Sequence, residues 1–127
     1  MDNMKNTFNW IEIPVTDFDR AKKFYSSILN FDMPQEQIGS DLMGFFPYDQ
    51  ENEGVGGAIV KGDMHKPSKE GTLVYLNGGE NLNTILNKVE SSGGGIVVPK
   101  TQISPEIGYF AIFADTEGNH IALHSKG

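Results

Sequence analysis

Phe8-Asn-Trp-Ile-Glu-Ile-Pro-Val-Thr-Asp-Phe-Asp-Arg-Ala-Lys-Lys-Phe-Tyr-Ser-Ser-Ile-Leu29 switches its hydrophobic period halfway along. In the first part Ile11, Ile13 and Val15 alternate with Trp10, Glu12 and Pro14, the period of two that gives a β-strand one aliphatic and one mixed face. In the second part Phe18, Ala21, Phe24, Tyr25, Ile28 and Leu29 recur at spacings of three and four, an apolar stripe along a helix. Asp17 stands between them where an N-cap belongs, its carboxylate placed to accept from the first helical turn. The segment reads as a strand running directly into the helix that covers it. The aliphatic face meets that helix, and Trp10 and Glu12 turn the other way.

Working outward, the helix is expected to end near Asn30, with a short edge strand at 31–33 stopped by Pro34. Strands are expected over 35–38, 42–46 and 55–60, the last holding two glycines where something approaches the backbone closely. Residues 61–71 are polar, contain Gly and Pro and show no periodicity, so they read as a linker in which His65 is solvated. The pattern then repeats. A strand over 72–77 precedes Leu82, Ile85, Leu86 and Val89, which mark a second helix ending at Ser91-Ser-Gly-Gly-Gly95. Strands over 96–98, 109–114 and 120–124 complete the set, with Pro99 stopping the first as Pro34 does in the other half. Apart from the short edge strand at 31–33, each half is therefore strand, helix and three strands, and the fold class is α+β: two βαβββ repeats (about 8–60 and 72–125) in one domain spanning 1–127. Such repeats form a curved mixed sheet around a cup, with the helices on its outer face.

Composition narrows what the cup holds. A segment of about 60 residues buries too little apolar surface to be stable alone, so the repeats share a core. A net charge of -7 lacks the basic footprint that nucleic acid or an anionic membrane requires. With no cysteine, disulfides, thiolate catalysis and zinc-thiolate sites are excluded. No run approaches the roughly 18 apolar residues of a membrane span, and the first residues lack the apolar centre of a signal peptide, so a cytoplasmic location is expected. The Gly93-Gly-Gly95 run follows a helix and is a stop signal, not a phosphate cradle.

Several short motifs in order resemble the vicinal oxygen chelate superfamily, which holds glyoxalase I, bleomycin-resistance proteins and extradiol dioxygenases. They are Ile13-Pro-Val-Thr-Asp17 leading into Arg20-Ala21 and Phe24-Tyr25, Gly93-Gly94, and Asp115-x-x-Gly118-Asn119. Glu12-Ile-Pro14, Val74-Tyr-Leu-Asn77 and Gly108-Tyr-Phe110 look like its lactoylglutathione lyase-related, glyoxalase-like branch. Thr116 replaces the proline usual in the family's Asp-Pro-x-Gly-Asn turn.

The resemblance implies a divalent ion held by side chains on the first strand of each half and on the last strand. Those places fall on Trp10, on Leu73 or Val74, and on Ala122, and none carries a donor for a hard or borderline cation. The expectation is thus a cup without cofactor, the alternative being a divalent metal at an unorthodox site. Glu12 lies on the face of Trp10, and Tyr75 occupies the matching place in the second half. Enclosed in an apolar cup, Glu12 would act as a general base or hold a ligand's amine or hydroxyl; otherwise it bonds a neighbouring strand or faces a partner subunit. Trp10 is read as a wall of the cup or as core. His120 and His124 share the face of Ala122, which makes a displaced metal site with Glu12 conceivable, but residues four apart on a strand are about 13 Å apart. His120 is read as ligand-lining or solvated, His124 as surface.

The ligand-binding set is accordingly Trp10, Glu12, Leu73, Tyr75, His120 and Ala122. The function expected is binding or sequestration of a small organic ligand, the alternative being a lactoylglutathione lyase-related or dioxygenase-like enzyme, lyase- or isomerase-like in its chemistry, either metal-free with Glu12 as base or using an unorthodox metal site; a homodimer is expected from the resemblance.

Overall fold

The computed structural model describes residues 5–127; residues 1–4, which open the expected domain, lie outside the described residues. Trp10–Pro14 forms β1 and Phe18–Leu29 forms α1. Asp17 caps the helix by accepting from the Arg20 backbone N–H at 3.1 Å. Asn30 closes it in the left-handed conformation, with φ at 53°. Phe18, Ala21, Phe24, Tyr25 and Ile28 are all buried, and each large apolar side chain among them contributes roughly 1.5–3 kcal/mol.

Strands β2 (Gln35–Ile38), β3 (Asp41–Phe45) and β4 (Gly56–Lys61) complete the first half, and β1 runs parallel to β4. The strand expected at 31–33 is not formed: Phe31 to Pro34 leave the helix irregularly, and Met33 drops into the core with its sulfur close against Gly44. In the second half β5 (Val74–Asn77), β6 (Gly95–Ser104), β7 (Gly108–Ala114) and β8 (His120–Ser125) repeat the topology, with β5 parallel to β8. The orders are β1-β4-β3-β2 and β5-β8-β7-β6. The expected mixed sheet is thus two four-stranded mixed sheets that do not close.

Two expectations need correcting in the second half. Pro99 does not stop β6, which runs on to Ser104 as an edge strand, because register shifts flank the proline and its missing N–H falls where the ladder is already broken. The second helix is only one α-turn, α2 (Asn83–Leu86), followed by a 3-10 turn at Glu90–Ser92. Its first turn is capped by Asn81, whose Oδ1 accepts from the Asn83 backbone N–H at 3.0 Å, but its bonds shift from Leu86 N–H to Leu82 C=O to the tighter Val89 N–H to Leu86 C=O.

One core joins both halves. Ile13 and Ile59 from the first sheet, Phe24 and Tyr25 from α1, and Phe113 and Leu123 from the second sheet belong to the same buried cluster. The Phe24 and Phe113 rings lie 5.9 Å apart. The turn after β7 fixes this join with polar bonds. The Tyr25 hydroxyl donates to Asp115 at 2.6 Å, and the Asn119 amide donates to the Pro14 carbonyl at 2.7 Å. Glu117, whose side chain is 0% exposed, accepts from the backbone N–H groups of Thr16 and Asp17, from Arg20 Nε and from the Thr116 hydroxyl. Burial alone would raise its pKa, but the Arg20 guanidinium and the other donors hold it down at about 2.

Candidate functional site

β1 and β5 are each one of the two edges of their sheet, and the space between them is open. Two clefts lie there, sharing Ile11, Ile13, Val74 and Tyr75. The larger, about 800 Å³, follows the aliphatic face of β1 between Leu29 of α1 and Ile85 of α2. Its walls are mainly aliphatic and backbone, and Glu80 is its one acidic side chain. The smaller, about 690 Å³, is lined by Trp10, Glu12, Leu73, Tyr75 and His120, with the linker residues Lys66, Ser68 and Glu70 along one side. Ionisable and aromatic groups converge in the smaller cleft, so it is the one equipped for recognition.

The alternation along β1 explains what faces this cleft. Ile13 turns to the core and is 2% exposed, while Trp10 is 39% exposed. The indole rests over Gly56 on the neighbouring strand, where an added Cβ would come within 2.6 Å of the Tyr48 ring and 3.0 Å of Trp10 itself. Phe45 flanks the indole at 6.2 Å between ring centroids. This is the close approach that the glycines of β4 signalled. Trp10 is therefore a braced wall with one part open.

Glu12 sits beside it. Trp10 Nε1 donates to Glu12 Oε2 at 3.2 Å, and His65 Nε2 lies 2.7 Å from Glu12 Oε1. With the carboxylate accepting, that imidazole nitrogen is the donor. His65 Nδ1 is buried and has no hydrogen-bond partner. The linker histidine is thus not solvated as expected: a tight turn closed by His65 N–H to Gly62 C=O at 3.1 Å folds it back from the end of β4 onto β1. Nothing local in the sequence shows this contact, which joins residues 53 apart in a stretch without periodicity. Nor is Glu12 enclosed in an apolar cup; its side chain is 35% exposed between two donors.

The other expected residues divide. Leu73, 38% exposed, Tyr75, 52% exposed, and the half-buried His120 bring the second half to the cleft. Ala122 does not reach it: it pairs with Tyr75 and Ile112 on the neighbouring strands and is fully buried. His124 lies away from the cleft, its Nε2 2.7 Å from the Ile107 carbonyl oxygen. At the places where the resemblance puts metal ligands stand an indole already bonded to Glu12, an alkyl chain and a buried methyl, so the residues present do not fit a cation there. Among the described residues no three of His, Asp and Glu come together as a metal-holding group.

The model of the glyoxalase family, described as Glyoxalase/Bleomycin resistance protein/Dioxygenase superfamily, matches residues 7–123. The chain belongs to that superfamily. A glyoxylase-like domain-containing protein of Didymella fabae is 31% identical over 119 residues, covering 91% of each chain. Among solved structures, maize glyoxalase I superposes with a TM-score of 0.70 at 15% identity over 93% of this chain, which spans only 44% of the maize chain. A glyoxalase/bleomycin resistance protein from Albidiferax ferrireducens gives 0.65 at 18% identity, covering 93% of this chain and 98% of that one. The fosfomycin resistance protein FosX of Listeria monocytogenes gives 0.64 at 16%, covering 96% and 91%. These likenesses share the glyoxalase-like fold, and among the described residues no helix is long and apolar enough to cross a membrane.

Proposed function

We propose that this member of the superfamily binds a small organic ligand in the cleft between β1 and β5, without a metal ion. The observation that carries the reading is convergence: Trp10 and Glu12 from one half and Leu73, Tyr75 and His120 from the other line a single cleft of about 690 Å³. Its size and its mixture of aromatic walls with a few polar groups match small-molecule sites in general. The metal-free part rests on the absence of donor side chains at Trp10, Leu73 and Ala122.

Trp10 is the only tryptophan in the chain, so its fluorescence reports on this cleft directly. A screen of small organic molecules is expected to yield ligands that both change Trp10 emission and raise Tm, as mass action requires of a native-state ligand. A broad screen that gives neither counts against the reading. For the metal, elemental analysis of the untagged protein and thermal shifts with zinc, nickel, manganese and iron(II) are expected to show no stoichiometric ion; a stoichiometric ion would overturn that part.

The bonding of His65 to Glu12 favours a second reading, a lyase- or isomerase-like enzyme in which Glu12 removes a proton and the imidazole N–H fixes its orientation. Glu12→Gln abolishing turnover of a substrate while leaving its binding intact would select this reading over sequestration. We also propose a homodimer, supported by the exposed Ile96, Val97 and Ile103 of β6 and Ile107 beside it; a monomeric mass by light scattering at micromolar concentration would remove it.

A further inference from the structure

The proposed small-molecule site has a chemical preference written into its walls. We propose that the ligand of the β1–β5 cleft is an organic ammonium, a protonated or alkylated amine carrying an apolar or aromatic body. The inference rests on the cleft being a ligand site, and it adds the class of ligand.

Three features point to this class. Glu12 is an acceptor that is only half used: each carboxylate oxygen takes about two hydrogen bonds, and here Oε1 has His65 and Oε2 has Trp10. The remaining acceptor positions belong to a side chain that is still 35% exposed. A neutral apolar ligand seated against Glu12 would strip water from an anion and return nothing, a costly burial. The occupant must bring a donor, and a cationic donor bonds a carboxylate more strongly than a neutral one.

Aromatic rings line the same cleft. Trp10, Tyr75 and Phe8 all line the cleft, and Phe8 and Tyr75 are 73% and 52% exposed. Open indole, phenol and phenyl faces attract cations through the ring quadrupole and repel anions. Charge supplies the third feature. Of the fixed charges lining the cleft, Lys66 and Glu70 on the linker offset one another, which leaves Glu12. The chain as a whole carries -7, so its field draws cations in and keeps anions out.

The test uses three probes of nearly the same shape: 2-phenylethylamine, 2-phenylethanol and phenylacetate. Binding to the full chain is read by Trp10 emission excited at a wavelength the phenyl ring does not absorb, and independently by calorimetry. The amine is expected to bind about tenfold or more tighter than the alcohol, with phenylacetate weakest, the size of one ion pair assisted by aromatic faces. Glu12→Gln is expected to erase most of the preference by weakening the amine far more than the alcohol. Equal affinity for amine and alcohol, or tighter binding of phenylacetate, overturns the ammonium assignment while the cleft stands as a ligand site. If none of the three binds and the broad screen finds other ligands, the assignment alone falls; if the screen is also empty, the site falls with it. The wild-type series decides the matter even if the variant fails to fold.

Discussion

Two glutamates sit where the halves of this protein meet, and they are treated in opposite ways. Glu117, in the turn after β7, is fully buried and receives four donors, two from the backbone ahead of α1, one from Arg20 and one from Thr116. Glu12, on β1, receives two donors and stays 35% exposed beside an open cleft. A carboxylate whose acceptor positions are all filled from within the protein holds structure together. One left with positions open towards solvent is available to something that arrives. The second case is where function belongs, since the first has no capacity to spare.

The largest effect is expected at the filled site. Glu117→Ala leaves two backbone N–H groups and a guanidinium without their acceptor, and should lower the unfolding free energy on the order of 3 kcal/mol. The pH dependence has a defined sign. Glu117 is held at about 2 in the folded chain against an ordinary 4.5, so its stabilisation is fully present above about pH 4.5 and is lost as pH falls towards 2. Denaturant titrations of Glu117→Gln across that window should show a flatter acid limb than the wild type. An unchanged limb would mean that other carboxylates dominate acid unfolding. Tyr25→Phe is the next step down. It removes the 2.6 Å donor to Asp115 and leaves a buried acceptor with its Asn119 and Glu117 contacts, at a cost of about 1–2 kcal/mol.

At the open site the same chemistry should hardly register in stability. Glu12→Gln keeps the shape of the side chain and is expected to shift unfolding by less than about 0.5 kcal/mol, as half-exposed positions usually do. His65→Ala should cost little more, because its Nδ1 already lacks a partner. Chemical denaturation of both variants beside Glu117→Ala checks the comparison directly. If Glu12→Gln costs as much as Glu117→Ala, then Glu12 is a structural residue, and the case for a ligand there fails.

The difference between these sites also explains what the sequence shows and what it hides. β1 and α1 are readable because period and cap are local: Asp17 caps three residues ahead, and the stripe from Phe18 to Ile28 is buried as spaced. The second helix was expected from the same spacing, and its face is right, with Leu82, Leu86 and Val89 all buried. Its length is not, because spacing reports which side is covered and says nothing of where α-helical bonding gives way to the tighter turn at Glu90–Ser92. Five of the six expected ligand residues reach one cleft: alternation puts Trp10 with Glu12 and Leu73 with Tyr75 on one face of each strand, and the cleft, lying between two edge strands, takes Ile11, Ile13 and Val74 from the other face as well. Ala122 shares the face of His120 yet lies under its neighbours, a matter of side-chain size on adjacent strands that alternation does not carry. His65 is further out of reach, for its partner is on another strand and its turn has no period.

The most finely balanced effect concerns Thr116, where the family turn usually has proline. The sequence alone makes this a loss of rigidity. The structure adds a gain, since the Thr116 hydroxyl donates to Glu117 at 2.8 Å. The two terms oppose one another: proline at a compatible turn position stabilises by about 0.4–1 kcal/mol through the unfolded chain, and a hydrogen bond to a charged acceptor contributes about 1.5–3 kcal/mol when no substitute donor is present. Three other donors to Glu117 remain, so the loss should sit at or below the low end, and Thr116→Pro should come out within about 1 kcal/mol of neutral. Thr116→Val removes the hydroxyl without adding rigidity and should be the worse of the pair. Equilibrium unfolding of the two variants separates the terms. If valine is harmless and proline stabilises, the hydroxyl is a bystander, and Glu117 owes its low pKa to the guanidinium and backbone alone.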